Sequence, residues 1–282
     1  MDSNPAKYLR MDFQLFKEKT NQVRRDILDM SFRAQSAHSG GALSCVELLV
    51  VLYYAILHID PKKPYAEDRD RLIFSKAHDA KALFATLAER GFFDKKILEG
   101  YEQNDGLLGG HSIRHCVPGI EMSAGSLGHG LSFAVGIALA GKMDTKEYRT
   151  FCVLSDGECD EGTTWEAALF AGHHHLDKLV AIIDYNKLQG YGRTKDVLDL
   201  EPFGKKWKAF GWSVKEINGN DLNAVLASLS KIPFSKNKPS LLLAHTIKGF
   251  GGVKKYVDQI ASQYKSPTEE EYNETIKSLH EV

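Results

Sequence analysis

The chain has little cysteine, no excess charge of either sign and no long apolar run. Its four cysteines, Cys45, Cys116, Cys152 and Cys159, form no Cys-x-x-Cys pair. That spacing excludes a thioredoxin-type redox motif and a paired-thiolate zinc site, and it fits a reduced, cytoplasmic protein better than a disulfide-stapled secreted one. With 36 Lys+Arg against 37 Asp+Glu, the formal net charge of -1 gives no basic surface for nucleic acid. No stretch is apolar for long enough to span a membrane. Asp2, Lys7, Arg10 and Asp12 interrupt the first residues, so no secretory leader is expected there. Neither a Rossmann fingerprint nor a Walker sequence is present. The remainder is globular in composition, 43% hydrophobic and 26% charged over 282 residues, enough for a large core.

The most informative stretch is residues 150–192, which reads strand, loop, helix, strand, loop. Phe151-Cys152-Val153-Leu154 stops at Ser155-Asp156-Gly157, and a second apolar run, 179–183, stops at Asp184-Tyr185-Asn186. If the two strands are parallel neighbours, Asp156 and Asn186 enter one crevice at their carboxyl ends. A carboxylate and an amide oxygen are hard ligands suited to Mg²⁺ or Ca²⁺. The same residues also read as a plain turn and a helix cap.

Either side of it, strands alternate with helices. An amphipathic helix over residues 11–35 ends at Ser36-Ala37-His38-Ser39-Gly40-Gly41. His38 there reads equally as a surface histidine or a ligand contact. Ser44 with Glu47 forms a capping-box pattern for an apolar helix over 45–58. A strand over 71–75 leads to Lys76, His78 and Asp79, then to a helix over 80–89 closed by Gly91. Residues 100–130 carry eight glycines with His111, His115 and His129 among them, the composition of an active-site loop whose amides can face a phosphate. The helix over 131–140 is so apolar that a central position is expected. His173-His174-His175 reads as a helix C-terminal turn, because consecutive residues do not share a helix face. Further strands are expected at 212–217 and 239–244, a helix at 221–229, and a charged helical tail from Pro267. This order predicts one α/β domain over 1–282, with a possible peripheral tail at 266–282. Its mostly parallel central sheet would be covered by helices on both faces, with five polar strand exits gathered on one edge.

These residues resemble the transketolase family, in its thiamine-diphosphate-binding N-terminal part, and in particular the N-terminal subunit of a split enzyme. Ser155-Asp156-Gly157 through Asn186 is similar to the family's Gly-Asp-Gly…Asn motif. More specific are Pro118-Gly119-Ile120-Glu121 with Gly125-Ser126-Leu127-Gly128-His129-Gly130, Arg69-Asp70-Arg71 leading to His78, and Ala244-His245-Thr246-Ile247-Lys248-Gly249-Phe250-Gly251. The resemblance implies that Asp156, Asn186 and the Leu188 carbonyl hold Mg²⁺ or Ca²⁺. It places Gly157, His78, Gly125, Leu127 and Asn186 against thiamine diphosphate. It sets His38 and His111 toward the substrate as catalytic histidines, and gives Glu161 a part in coupling paired sites. The implied reaction is transfer of a two-carbon ketol group from a ketose, phosphorylated or related, to an aldehyde. The implied partner is a separate C-terminal transketolase subunit carrying the pyrimidine-binding domain and the catalytic glutamate, in an α2β2 heterotetramer.

The chain departs from the family pattern at several points. Ser36-Ala37-His38-Ser39 replaces Ser-Gly-His-Pro, Ala77-His78-Asp79 replaces Gly-His-Gly, and Ser155 replaces the first glycine of the metal motif. Ser126 and His129 stand where proline and glutamine are usual. Gln263 and Tyr264 precede Lys265-Ser266-Pro267, where a histidine is usual, so an altered sugar specificity is expected. Two other readings stay open: the α subunit of a 2-oxo acid dehydrogenase or other thiamine-dependent decarboxylase, and an idle scaffold that kept the fold.

Overall fold

The computed structural model describes residues 13–279. Residues 1–12, including the charges that argued against a leader, and residues 280–282 lie outside them. Helix α1 (Phe13–Ala34) is followed by the short α2 (Ser39–Ser44), then α3 (Val46–Val51), which runs into a π turn (Leu52–Ile56). Strand β1 (Arg71–Phe74) leads to α4 (Ala80–Arg90), closed by Gly91 in the left-handed region. After the long glycine-rich connection come α5 (His129–Met143), β2 (Thr150–Ser155), α6 (Gly162–His173) and β3 (Leu179–Tyr185). A two-stranded antiparallel hairpin, β4 (Leu188–Gln189) and β5 (Gly192–Arg193), precedes α7 (Thr194–Val197) and α8 (Phe203–Ala209). The chain continues through β6 (Ser213–Asn218), α9 (Leu222–Leu229), β7 (Ser240–His245), α10 (Ala261–Tyr264) and α11 (Glu269–Ser278).

The five longer strands form one parallel sheet in the order β1-β2-β3-β7-β6. Side chains alternate across a strand, so each strand feeds two cores. Phe151, Val153, Val180, Ile182 and Leu242 meet α1, α3, α4 and α9 on one face. Cys152, Leu154, Ala181, Ile183 and Leu243 meet α5, α6 and α8 on the other. β2 and β3 are buried along their whole length, as strands covered on both faces must be. The edge strand β6 is only partly covered. α11 starts on a capping box between Thr268 and Glu271, and its Tyr272 stacks on Phe32 of α1.

Two local expectations need correction. Ser44 does not cap a helix. The buried Ser39–Ser44 run is itself helical, and Ser44 Oγ donates instead to the Gly41 carbonyl and to Asp184 Oδ2. Glu47, the expected box partner, pairs with Arg24, which is buried beside it. The second correction is α5. Gly130, Leu131, Ala134, Val135 and Ala138 are buried, but Ser132, Phe133, Gly136 and Ala140 face outward. It is therefore a flanking helix with an apolar outer face. The histidine run does end α6: His173 is its last residue, His174 the cap, and His175 takes a left-handed φ of 51°.

Candidate functional site

Parallel strands deliver their carboxyl ends to one edge, and a cavity of about 360 Å³ opens there. The turns after β1, β2, β3 and β7 line it, through His78 and Asp79, Asp156 and Gly157, Asn186 and Leu188, and Lys248. The exit of β6 does not. Its Asn220 turns back to hydrogen-bond Ser44 and Glu47, so four of the five expected exits contribute. The glycine-rich connection adds His111, Gly125 and Leu127, and the α1–α2 junction adds His38. Every residue expected at the cofactor or substrate thus reaches one cavity. Glu161 does not line it. That residue is exposed at the start of α6, and its side chain packs beside Gly128.

The floor is a set of buried carboxylates held by directed donors. The register of β2 and β3 pairs Ser155 with Asp184, which brings Asp156 and Asn186 together. Asp156 is 1% exposed. Its Oδ1 accepts from the Gly157 N–H at 3.0 Å, and its Oδ2 from the Lys187 N–H and the Thr194 hydroxyl, each at 2.8 Å. Burial nevertheless raises its pKa, so the anion is in want of a positive partner. Asn186 Oδ1 accepts from the Leu188 N–H at 3.1 Å. The Leu188 carbonyl accepts from the Lys248 ammonium at 2.8 Å. Burial lowers the pKa of Lys248, which is 4% exposed. A carboxylate, an amide oxygen and a carbonyl are the oxygen donors a hard divalent cation takes, and one of them already holds an ammonium as a stand-in cation. The residues present therefore fit such an ion and the phosphate groups it would carry. Among the described residues no cluster of three or more His, Cys, Asp or Glu side chains could hold a metal, at this cavity or elsewhere.

Several residues of this floor carried no assigned role in the sequence. Asp184, fully buried, accepts from Lys76, Thr246 and Ser44. The ammonium of Lys76 is itself fully buried. Burial alone would lower its pKa, but Asp184 and Asp79 outweigh that and raise it. Glu158 accepts from Ser75, from the Gly128 N–H at 2.9 Å and from the Ser155 N–H at 3.4 Å. It thereby occupies the N-terminus of α5, where an anion is favoured, and burial raises its pKa. Polar residues immediately after apolar strands were the available signal for Lys76 and Lys248. No local pattern points to Glu158, whose partners span residues 75 to 155.

The substrate-facing corner is built differently. His38 takes a left-handed φ of 66°, unusual for a residue with a side chain, and its N–H donates to the Gln263 carbonyl at 2.9 Å. The rings of His38 and His78 meet edge to face, 5.7 Å apart. Burial lowers the pKa of His38; Asp79 opposes that effect, while His78, Lys81 and His111 add to it. Asp79 is 1% exposed, and its carboxylate lies where a side chain at Gly41 would otherwise sit. Lys76 and His78 both approach its Oδ2 at 3.1 Å, yet neither is aligned for a hydrogen bond. Burial would raise the pKa of this carboxyl, but His78 and Lys76 hold it below the usual range. Gln263 lines the same cavity with a buried, unpartnered Oε1. At the mouth, Tyr191 at the hairpin tip is 90% exposed, and the Tyr264 hydroxyl donates to the Gly190 carbonyl at 2.9 Å.

A family model described as "Transketolase, thiamine diphosphate binding domain" matches residues 16–276. The chain is 38% identical over 272 residues to an apulose-4-phosphate transketolase subunit of Phocaeicola vulgatus, covering 96% of each. It is also 38% identical over 263 residues to "6-deoxy-6-sulfo-D-fructose transketolase subunit SqwG" of a Clostridium species, covering 93% of this chain and 95% of the relative. Among solved structures, the transketolase of Campylobacter jejuni superposes with a TM-score of 0.89 at 29% identity, covering 96% of this chain and 43% of that one. The chain thus spans nearly the full length of the two curated relatives, but less than half of the solved transketolase.

Proposed function

The chain belongs to the transketolase family, as its thiamine-diphosphate-binding domain, and from that premise we propose that it is one subunit of a two-chain transketolase. With its partner it transfers a two-carbon ketol group from a ketose to an aldehyde. The observation that carries this reading is the cavity. Asp156, Asn186 and the Leu188 carbonyl, with His38, His78 and His111, share it on a chain as long as relatives that are themselves named subunits.

Bound thiamine diphosphate supplies the electron sink that lets a carbon–carbon bond beside a carbonyl break. This chain's residues anchor and orient it. Asp156, Asn186 and the Leu188 carbonyl would hold Mg²⁺ or Ca²⁺, and the Lys248 ammonium, which now sits on that carbonyl, would offer positive charge to the diphosphate. Gly157, Gly125 and Leu127 border the cofactor, and His78 faces its diphosphate side. His38, kept neutral by burial, is able to take a proton from a substrate hydroxyl and return it to the product. His111, exposed on the glycine-rich segment, serves the same corner.

The domain that binds the aminopyrimidine and supplies the activating glutamate comes from a separate chain, in an α2β2 assembly. In support, α5 and α6 pack together and expose Phe133 (42%), Leu169 (54%) and Phe170 (39%), a large apolar exposure for a free surface. Glu161, beside this pair of helices, couples paired sites. The four free thiols fit a cytoplasmic setting. Among the described residues no helix is long and apolar enough to cross a membrane. The two relatives are named for different sugars at the same 38% identity; in keeping with that spread, the donor here is a specialised ketose, read in part by Gln263. The test is a ketol-transfer assay of the purified chain with and without the candidate partner subunit, over a panel of ketoses. Activity is expected only in the mixture; full activity of the single chain sinks the two-chain reading.

A further inference from the structure

Lys81, on the first turn of α4, is fully buried and absent from the machinery above. Its ammonium donates to the Ser31 hydroxyl at 2.9 Å, the Ser36 hydroxyl at 3.1 Å, the Ala37 carbonyl at 2.6 Å and the Ser39 hydroxyl at 3.4 Å. All four acceptors belong to the segment that ends α1 and presents His38. None is a carboxylate, so no hydrogen-bonded anion neutralises the charge. Burial pushes the Lys81 pKa down to about 8, against the pull of Asp79 and Glu102. The Tyr101 ring lies 5.7 Å from the same ammonium. For stability alone this is a poor choice, since a buried ion is often replaced by an apolar side chain without loss.

What the ammonium does hold is a strained backbone. A side-chain-bearing residue in the left-handed region is disfavoured and persists only where its surroundings fix it. His38 has φ 66° and ψ 24°. Lys81 grips the carbonyl before it and the hydroxyls on either side. The Gln263 carbonyl holds its N–H from the front.

We propose that Lys81 is a positioning residue for His38: its ammonium clamps the 31–39 segment from behind and sets the imidazole over the cavity. The charged or titratable groups acting on His38 are then Asp79, which favours the imidazolium, and His78, Lys81 and His111, which oppose it. Asp79 and Lys81 flank Ala80, one on each side of the balance. The catalytic part of this assignment rests on the transketolase reading; the positional part does not.

The test is the titration of His38 in the full-length chain, followed by histidine ¹H–¹⁵N correlation spectra and assigned with His38→Gln. Lys81→Met keeps the stem and removes the charge, so the His38 pKa is expected to rise by roughly 0.5 unit or more, as loss of a nearby like charge requires. Asp79→Asn is expected to move it the other way. If Lys81→Met does not fold, the double change Ser36→Ala/Ser39→Ala removes two of the four acceptors, favours the neutral Lys81 amine and so moves the His38 pKa in the same upward direction. In the assembled enzyme, the folded variant is expected to lose about 10–100-fold in kcat with thiamine diphosphate affinity unchanged, as misplacement of a reacting group does. An unmoved His38 titration, or an undiminished kcat, overturns the proposal. A shifted titration in a wild-type complex that shows no ketol transfer keeps the positional assignment and defeats the functional reading instead.

Discussion

On the floor of the cavity each buried carboxylate is met by directed donors; at the His38 corner several polar groups are not. Asp156, Asp184 and Glu158 accept from backbone amides, hydroxyls and an ammonium. Asp79 faces the Lys76 ammonium and the His78 ring without an aligned hydrogen bond, the Gln263 Oε1 has no partner, and His38 sits in a strained backbone region. The floor is pre-organised, which suits a group whose shape does not vary, as the diphosphate and cation of the proposed function are. The corner keeps unused hydrogen-bonding capacity, which on the proposed reading is where one ketose is told from another. Strained and unsatisfied groups cluster where a ligand completes them.

The contrast breaks first at Asp156. Asp156→Ala in the assembled enzyme is expected to weaken Mg²⁺-dependent thiamine diphosphate binding by at least about 100-fold, since even outer partners of a metal ligand carry 10–100-fold. Calorimetric titration reads it; near wild-type affinity would mean that the cation is held elsewhere. Glu158→Ala leaves the Ser75 hydroxyl and the Gly128 N–H unpaired in a buried place and is expected to destabilise by about 2–4 kcal/mol in urea unfolding. A smaller, pH-dependent effect follows from Asp156. Burial favours its protonated form in the folded chain, a contribution present at low pH and lost as pH rises through its raised pKa. A bound cation offsets that loss, so Mg²⁺ with thiamine diphosphate should raise the melting temperature more at pH 8 than at pH 5.5. Equal shifts at the two pH values would show that the Asp156 proton does not compete with the cation. At the corner, Gln263→Leu is expected to change stability by less than about 1 kcal/mol, because no hydrogen bond of the free chain is lost. Its effect belongs in KM for the donor ketose. A stability loss as large as that of Glu158→Ala would erase the distinction between floor and corner.

The two regions also differed in how far the sequence revealed them. Apolar runs stopping at Ser155-Asp156-Gly157 and at Asp184-Tyr185-Asn186 announce strand exits, and a parallel register brings them together without further information. The alternation of strands and helices similarly set the sheet. What stayed hidden depends on contacts distant in the chain. Lys81 reaches back 50 residues to Ser31, and Glu158 reaches 83 to Ser75. Ser44 and Glu47 matched a capping pattern that their long-range partners, Asp184 and Arg24, override. The apolar outer face of α5 misled for a related reason: hydrophobicity marks burial, but not whether the burial happens within the chain.

That outer face bears on the supply of the protein. A copy of this chain made without its mate carries Phe133, Leu169 and Phe170 into solvent, the kind of surface that drives self-association and attracts chaperones and proteases. On the two-chain reading, assembly that covers this face adds to stability by mass action, so the lifetime of each copy would track the concentration of the other subunit. Matched synthesis of two polypeptides would then be a condition for keeping this chain, and its working abundance would follow the supply of its partner.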